Sequence, residues 1–590
     1  MSTERREATI KCFKFPATFC RLTAQCLRAE NREGALLLQS ARIACRDCFD
    51  PECSQRLLAA MWRSSRLAVL PATATLSLLF FLISPVKVAC LTETQGKCGQ
   101  LQARASQGLA NFHITNTSIA EVGAVDDVEI PFCRLFGQIS YGTDDSLAVE
   151  VWMPEANIWN NRFLTVGNGG FAGVIDTASM AEYLNQGFAV AGGDSGHLAA
   201  ENNDGGGAPN TYLPYMHDKD QVKAWIHDSI ALLTPVAKQL VQTYYDEPAK
   251  YSYFAGCSTG GGQGFALSQR HPELFDGIYA GSPGNWYSHL MLSFLWNAQK
   301  TKGDAYLSQD LLNHITSKVI EACDLDDGAA DQLVQNPLSC KFDIDTLACE
   351  PGAPNSTTCL SDVQLQAAKA IYAGPKDARD GAVVYPGFTL GSEAVWAGGQ
   401  EGALADSYAT ALLQNLVFNN LNWSTDSFNW ASDIDKVDEF AGLLIDSTST
   451  DLVSFKERGG KMIVSQGWAD PFNAPTLPID YLNALGERFG GDVSDFFTVF
   501  MVPGGGHCGS ASYYDSVPAN YHGVDALVEW VENGVKPQSI VSDEPSDGSN
   551  RTSKLCPWPK IAKFVGNDTD SADSYDCQLE KKRLGRNFQA

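Results

Sequence analysis

The segment Gly256-Cys257-Ser258-Thr259-Gly260 sets a serine between two glycines, and two distant residues supply what such a serine needs to become a nucleophile. Asp470 closes Gly467-Trp-Ala-Asp, and His507 closes Pro503-Gly-Gly-Gly-His. A serine hydroxyl attacks a carbonyl only when a base takes its proton, and imidazole titrates near neutrality. A carboxylate behind the imidazole holds its tautomer and stabilises the imidazolium. Together the three residues suit acyl transfer through a covalent serine intermediate. The pattern Gly-x-Ser-x-Gly is weak by itself in a chain with 52 Gly, so its surroundings must decide.

Those surroundings read as alternating strands and helices. Residues 251–256 are aromatic and β-compatible, and the run after Gly262 reads as a helix that stops near Pro272. Residues 277–283 then read as the next strand. Residues 461–467 form a short apolar strand leading to Asp470, and residues 496–502 form one leading to His507. Strand, glycine turn, helix and strand, with acid and base after later strands, is the order of an α/β-hydrolase. Acyl transfer also needs N–H donors for the oxyanion. One is the residue after the nucleophile, Thr259. The other falls in the glycine loop after the strand 162–166, where Gly169 and Gly170 are both candidates and a plain glycine turn is the rival reading. Residues 187–194 read as a neighbouring strand and 219–243 as an amphipathic helix. Nearly 180 residues separate the strand ending at Pro283 from that starting at Lys461, far more than a core connection needs, so an inserted domain is expected.

Cys257 precedes the serine and Cys508 follows the histidine. If Ser258 and His507 meet, their neighbours come within reach of a disulfide, which needs Cα atoms about 6 Å apart. Ten cysteines lie beyond Cys90, and their neighbours suggest the further pairs Cys98–Cys133, Cys323–Cys340, Cys349–Cys359 and Cys556–Cys577. Sequons begin at Asn116, Asn355, Asn422, Asn550 and Asn567, which together with the cysteines point to an oxidising, extracellular setting.

Cys257-Ser258, Asp470 and His507-Cys508, within Gly256-Cys-Ser-Thr-Gly-Gly-Gly-Gln263, Gly467-Trp-Ala-Asp-Pro471 and Val502-Pro-Gly-Gly-Gly-His-Cys508, resemble the signature of the tannase and feruloyl esterase family. The resemblance runs from about Cys98 to near the C-terminus. It implies a secreted serine hydrolase acting on phenolic-acid esters, with an α/β-hydrolase core, a large inserted lid and a Cys257–Cys508 disulfide. Galloyl, hydroxycinnamoyl and smaller aromatic diesters are all family substrates, so plant cell-wall polysaccharide or tannin are the expected partners. The family often has His where this chain has Gln466, a departure expected to touch the approach to the site rather than the triad. An acyltransferase using the same triad, and a non-catalytic binding protein on the same scaffold, are the rival readings.

The insert carries Cys323-Asp-Leu-Asp-Asp-Gly-Ala-Ala-Asp-Gln-Leu333. Clustered Asp around a glycine suits Ca²⁺, and a solvated acidic turn is the alternative on composition. The resemblance implies a structural calcium in the lid, with side-chain ligands Asp324, Asp327 and Asp331 and carbonyl ligands from Ala329 and Leu333. Gln332 stands where family members often have Gly.

The net charge of −26 with no basic patch excludes nucleic acid as a partner. Residues 1–60 hold six Cys and ten Lys/Arg against seven Asp/Glu, and precede Met61-Trp-Arg-Ser-Ser-Arg and an apolar run from Leu67 to Ile83. That order reads as a signal peptide with its start at Met61 and an atypical or untranslated extension before it; a signal anchor is the rival. Intact mass of the native protein separates the two, because a terminus well before residue 85 would exclude secretion by cleavage. The expected organisation is therefore 1–60 extension, 61–90 signal peptide or anchor, and 91–284 and 456–536 catalytic domain. Residues 285–455 would form the lid with its calcium loop, and 537–590 a cystine-stapled tail.

Overall fold

The structure is a computed structural model that describes residues 96–580 apart from 105–108, 110, 202–205 and 352–355. The extension, the signal or anchor segment and the sequon residue Asn355 lie outside the described residues. Among the described residues no helix is long and apolar enough to cross a membrane.

Nine strands form one sheet in the order β1-β2-β3-β5-β4-β6-β7-β8-β9. They are β1 (Phe112–Ala120), β2 (Phe132–Tyr141), β3 (Asp145–Pro154), β4 (Arg162–Val166), β5 (Ala189–Gly193), β6 (Tyr251–Cys257), β7 (Gly277–Gly281), β8 (Lys461–Gly467) and β9 (Phe497–Val502). β1, β2, β3 and β5 pair antiparallel, and from β5 through β4 to β9 every pairing is parallel. Parallel strands need cover on both faces, and β9 is accordingly buried along its whole length. Side chains alternate between the two faces: Tyr253, Ile463 and Phe500 pack into one core, while Phe254, Met462, Val464 and Val499 pack into another. This is the α/β-hydrolase architecture.

The chain runs from β4 outward to β5 and then returns to β6 on the other side of β4. A crevice opens at such a reversal, at the carboxyl ends of the strands, and ligands bind there. Ser258 follows β6, the loop Gly167–Gly170 follows β4, Asp470 follows β8 and His507 follows β9, so the topology gathers all four at one end of the sheet.

No strand of this sheet comes from residues 282–460; among the described residues the stretch is built of helices, turns and isolated bridges. The helix Tyr287–Lys300 begins it and packs against the π-helical turn Ala405–Thr410. The expected helix 219–243 differs in detail. An α-helical turn at Lys219–Lys223 passes into a π turn, Ala224–Asp228, before the helix Ser229–Tyr245 resumes. The helix after the serine also starts earlier than its sequence suggests, at Thr259, and ends at Arg270.

The tail supplies the strands Ile540–Pro545, Lys560–Phe564 and Tyr575–Leu579, and reaches back to the acidic loop of the insert. Arg551 donates to Asp331 Oδ2 at 2.9 Å, Tyr575 OH to the same oxygen at 3.1 Å, and Phe564 N to the Asp327 carbonyl at 3.1 Å.

Candidate active site

Ser258 sits at φ 63°, ψ −118°, a left-handed conformation that costs a residue with a Cβ roughly 1–3 kcal/mol. The surroundings force it. Ser258 N donates to the Gly281 carbonyl, while the Ser258 carbonyl accepts from Gly262 N and Gly284 N. The turn is tight enough that a Cβ at Gly256 would lie 2.6 Å from the Gly260 carbonyl carbon, and one at Gly261 would lie 2.5 Å from the Gly281 oxygen. The glycines flanking Ser258 thus let the strand and the helix approach with only the serine between them.

Cys257 and Cys508 are disulfide-bonded with Cα atoms 6.1 Å apart, across 251 residues. The bond ties the serine's turn to the histidine's loop. The chain-entropy argument gives a closure of that length about 5 kcal/mol. Bonds also join Cys98–Cys133, Cys323–Cys340, Cys349–Cys359 and Cys556–Cys577.

His507 Nδ1 donates to Asp470, 2.9 Å from Oδ2 and 3.0 Å from Oδ1. Asp470 is wholly buried, and further donors surround it: Phe472 N at 2.9 Å and Asn473 N at 3.1 Å on Oδ1, and Gln466 Nε2 at 3.0 Å on Oδ2. Burial pushes its pKa up, but the His507 charge and these hydrogen bonds outweigh burial and hold it below the ordinary carboxylate value. The edge of the Phe472 ring meets His507 at 4.7 Å. Among the described residues Ser258 Oγ makes no hydrogen bond to His507, although both face the same cavity; such contacts commonly tighten only with substrate in place.

Gln466 corrects a sequence expectation. It is fully buried and bonds Asp470 directly, so the departure from histidine falls on the carboxylate that holds His507, not on the approach to the site. β8 alternates its faces, which turns Gln466 inward four residues before Asp470; the spacing alone could have flagged it. Its Oε1 has no partner. Gln466→Leu should cut kcat about tenfold by removing one charge-assisted donor, with the melting temperature nearly unchanged. Gln466→His, which keeps a donor, should lose less. Steady-state rates with melting curves for both variants check this.

The glycine loop after β4 lies against the turn. Thr259 Oγ1 donates to the Gly170 carbonyl at 2.8 Å, Trp225 Nε1 donates to the same oxygen at 3.3 Å, and Gln263 Oε1 accepts from Asn168 N at 2.9 Å. Gly169 and Gly170 both line the cavity, and neither N–H donates to a protein acceptor among the described residues. Thr259 is buried behind them, as the first residue of its helix.

The cavity, about 1310 Å³, has two unlike walls. Tyr287, Leu290, Met291, Phe294, Leu404 and Tyr408 from the insert form an apolar, aromatic one. Asp176, Glu182, Asp525, Glu529 and Glu544 line the other, together with Arg162 and His522. Burial and the nearby Asp525 and Asp176 carboxylates raise the pKa of Glu182. Trp286 stacks on His289 at 4.2 Å and is not among the lining residues. Sequence gave no sign of Tyr408, because its place depends on how the insert folds.

In the acidic loop, Asp324 Oδ1 accepts from Asp331 N and Leu333 N, and Asp327 Oδ1 accepts from Ala329 N. Asp327 Oδ2 is buried without a partner. Burial, helped by the Asp331 charge, raises the Asp327 pKa to about 7. Gln332 holds φ 67°, the conformation that glycine adopts most readily.

Residues 133–578 match the tannase and feruloyl esterase family. A protein of Xanthomonas campestris described as an uncharacterized esterase is 33% identical over 508 residues, covering 77% of this chain and 86% of its own. Feruloyl esterase B of Aspergillus niger is 30% identical over 538 residues, covering 85% of this chain and 99% of its own. The crystal structure of an esterase from Aspergillus oryzae superposes with a TM-score of 0.73 at 26% identity, covering 82% of this chain and all of that one. With a serine elbow, an imidazole on a buried carboxylate and a match across most of its length, the chain belongs to the tannase and feruloyl esterase family and is a carboxylic ester hydrolase.

Proposed function

We propose that Ser258, His507 and Asp470 are the catalytic triad of a serine esterase that hydrolyses phenolic-acid esters, hydroxycinnamoyl esters foremost. The observation that carries the reading is the strained Ser258 turn, bonded through Cys257–Cys508 to the histidine whose Nδ1 rests on buried Asp470. In the reaction His507 Nε2 takes the Ser258 proton as Oγ adds to the ester carbonyl. The oxyanion is received by the Thr259 N–H and by Gly169 or Gly170. Collapse breaks the bond to the alcohol, which leaves with the proton from His507. Water, deprotonated by the same imidazole, then releases the acid.

The two walls support a division of the substrate. The apolar wall suits a methoxylated cinnamoyl ring better than the three hydroxyls of gallate, which would lose hydration there without enough partners. The carboxylate wall offers acceptors for the hydroxyls of a sugar or polyol and repels an anionic alcohol. The test is hydrolysis of methyl ferulate and methyl gallate side by side, with product analysis in the presence of a competing alcohol. A higher kcat/KM for ferulate, with free acid as the main product, is expected. A preference for gallate would reverse the substrate assignment, dominant transfer to the alcohol would make the enzyme an acyltransferase, and no turnover with no phosphonate labelling of Ser258 would make it a binding protein.

The acidic loop of the insert fits a structural calcium. Asp327 brings an unpartnered buried oxygen, and the family resemblance adds Asp324 and Asp331 and the Ala329 and Leu333 carbonyls as the further oxygen donors, with Asp331 Oδ2 also held by Arg551. The ion would tie the insert to the tail that docks on the same loop. Chelation should lower the melting temperature by several degrees and added Ca²⁺ should restore it. Asp327→Ala should abolish that response, whereas identical melting in chelator and in Ca²⁺ would remove calcium from the account. The five disulfides, together with fungal feruloyl esterase relatives, support an extracellular enzyme, since such bonds persist in oxidising compartments.

A further inference from the structure

Away from the cavity, three ligand-type side chains converge at the far end of the helix that follows Ser258. His227 Nδ1 lies 2.8 Å from Asp228 Oδ1 and 3.2 Å from His271 Nε2, and His271 Nε2 lies 3.6 Å from the same Asp228 oxygen. We propose that His227, Asp228 and His271 form a binding site for a zinc-like divalent cation that clamps the π turn to the elbow helix.

The argument begins with the distances. Tetrahedral zinc with nitrogen and oxygen ligands at about 2.0–2.1 Å holds neighbouring ligand atoms about 3.3 Å apart. The three separations here, 2.8, 3.2 and 3.6 Å, bracket that edge, so the three atoms outline one face of such a site. Without a cation, one imidazole N–H donates to Asp228 and the other nitrogen is left with its lone pair toward solvent. A cation engages all three atoms at once.

Local structure points the same way. The π turn Ala224–Asp228 contains both His227 and Asp228, and so carries two of the three side chains to the end of the helix. His271 is the C-terminal cap of the helix Thr259–Arg270, where the unpaired carbonyls favour positive charge. Arg270 precedes His271 at the helix end, and its guanidinium donates to the Asp446 carbonyl at 3.2 Å. Two imidazoles and one carboxylate select zinc, or copper and nickel in competition, over calcium or magnesium. The fourth position is left to water, since His271 and Asp228 reach solvent while His227 is nearly covered.

The role is structural. The helix of 12 residues separates the cluster from Ser258 by roughly 18 Å, too far for the ion to touch an ester. The π turn nevertheless supports the oxyanion loop, because Trp225 donates to the Gly170 carbonyl and its own carbonyl accepts from Gln263. A clamp at His227 and His271 therefore stiffens the backing of that loop.

The test is titration of Zn²⁺ into the full mature chain after chelation, with Ca²⁺ in excess throughout. Calorimetry and metal analysis should find one equivalent bound, and the melting temperature should rise with zinc. His271→Ala, a half-exposed position, should weaken that equivalent by about tenfold or more and remove the melting shift, with ester hydrolysis in the absence of zinc unchanged. Asp228→Asn should do likewise, which guards against a folding defect in either variant. Co²⁺ in place of zinc should give the intense visible bands of a tetrahedral site, absent from both variants. Zinc held instead at His507 would survive both substitutions. No stoichiometric zinc, or an equivalent unaffected by either variant, would overturn the proposal.

Discussion

Ser258→Ala should lose about 10⁵-fold or more in kcat on methyl ferulate while the protein melts at the wild-type temperature. The oxygen is the bond-forming atom, and neither oxyanion donors nor cavity walls can replace it. Alanine keeps the Cβ, so it bears the same left-handed conformation as serine, φ 63° and ψ −118°, and neither relieves nor adds strain. Ser258→Gly separates the two contributions. It should be equally inactive yet more stable by about 1 kcal/mol, because glycine adopts that conformation at little cost. The Cys257–Cys508 bond and the packed glycines of the turn hold the backbone in place in both variants. Initial rates with melting curves decide it. Residual activity above about 1% in Ser258→Ala would place the nucleophile elsewhere, and a destabilised Ser258→Gly would mean that the turn is not under strain.

The elbow was legible in sequence because its demands are local. A strand, a serine at positive φ and a helix within van der Waals reach of the strand require glycines at fixed offsets, and Gly256, Gly260 and Gly261 stand at them. Asp470 and His507 were legible because each follows a short apolar run ending in a turn, the pattern of a buried parallel strand. What was hidden depends on contacts between distant segments. Tyr287, Phe294 and Tyr408 share a wall only once the insert folds over the sheet. The π turn breaks what reads as one amphipathic helix, since hydrophobic periodicity reports which face is buried and not whether a turn holds an extra residue. The docking of Arg551 and Tyr575 on Asp331, 220 and 244 residues away, likewise carries no local signal.

Asp470→Asn should keep the fold and lower kcat about 10⁴-fold, by giving His507 the wrong tautomer. The donors around the carboxylate dictate how the new amide must sit. Oδ1 accepts from Phe472 N and Asn473 N, so the amide oxygen must take that place or leave two backbone groups unpaired. The amide NH₂ then falls at the Oδ2 position, the nearer of the two oxygens to His507 Nδ1 at 2.9 Å against 3.0 Å, and faces Gln466 Nε2. With the NH₂ as its nearer neighbour Nδ1 becomes an acceptor, which moves the ring proton to Nε2, and Nε2 can then no longer take the proton of Ser258. Gln466 decides whether the variant folds. Its Oε1 is buried and unpartnered in the native site, so rotating its amide turns a clash of donors into an accepted hydrogen bond. Asp470→Asn alone should therefore melt near the wild-type temperature, and nitrogen NMR of His507 should show the proton moved from Nδ1 to Nε2. Adding Gln466→Leu removes the group that accommodates the amide, so the double variant should be less stable than the two single changes predict. A kcat loss of only about tenfold, or an unchanged tautomer, would mean that Asp470 orients the ring by charge alone.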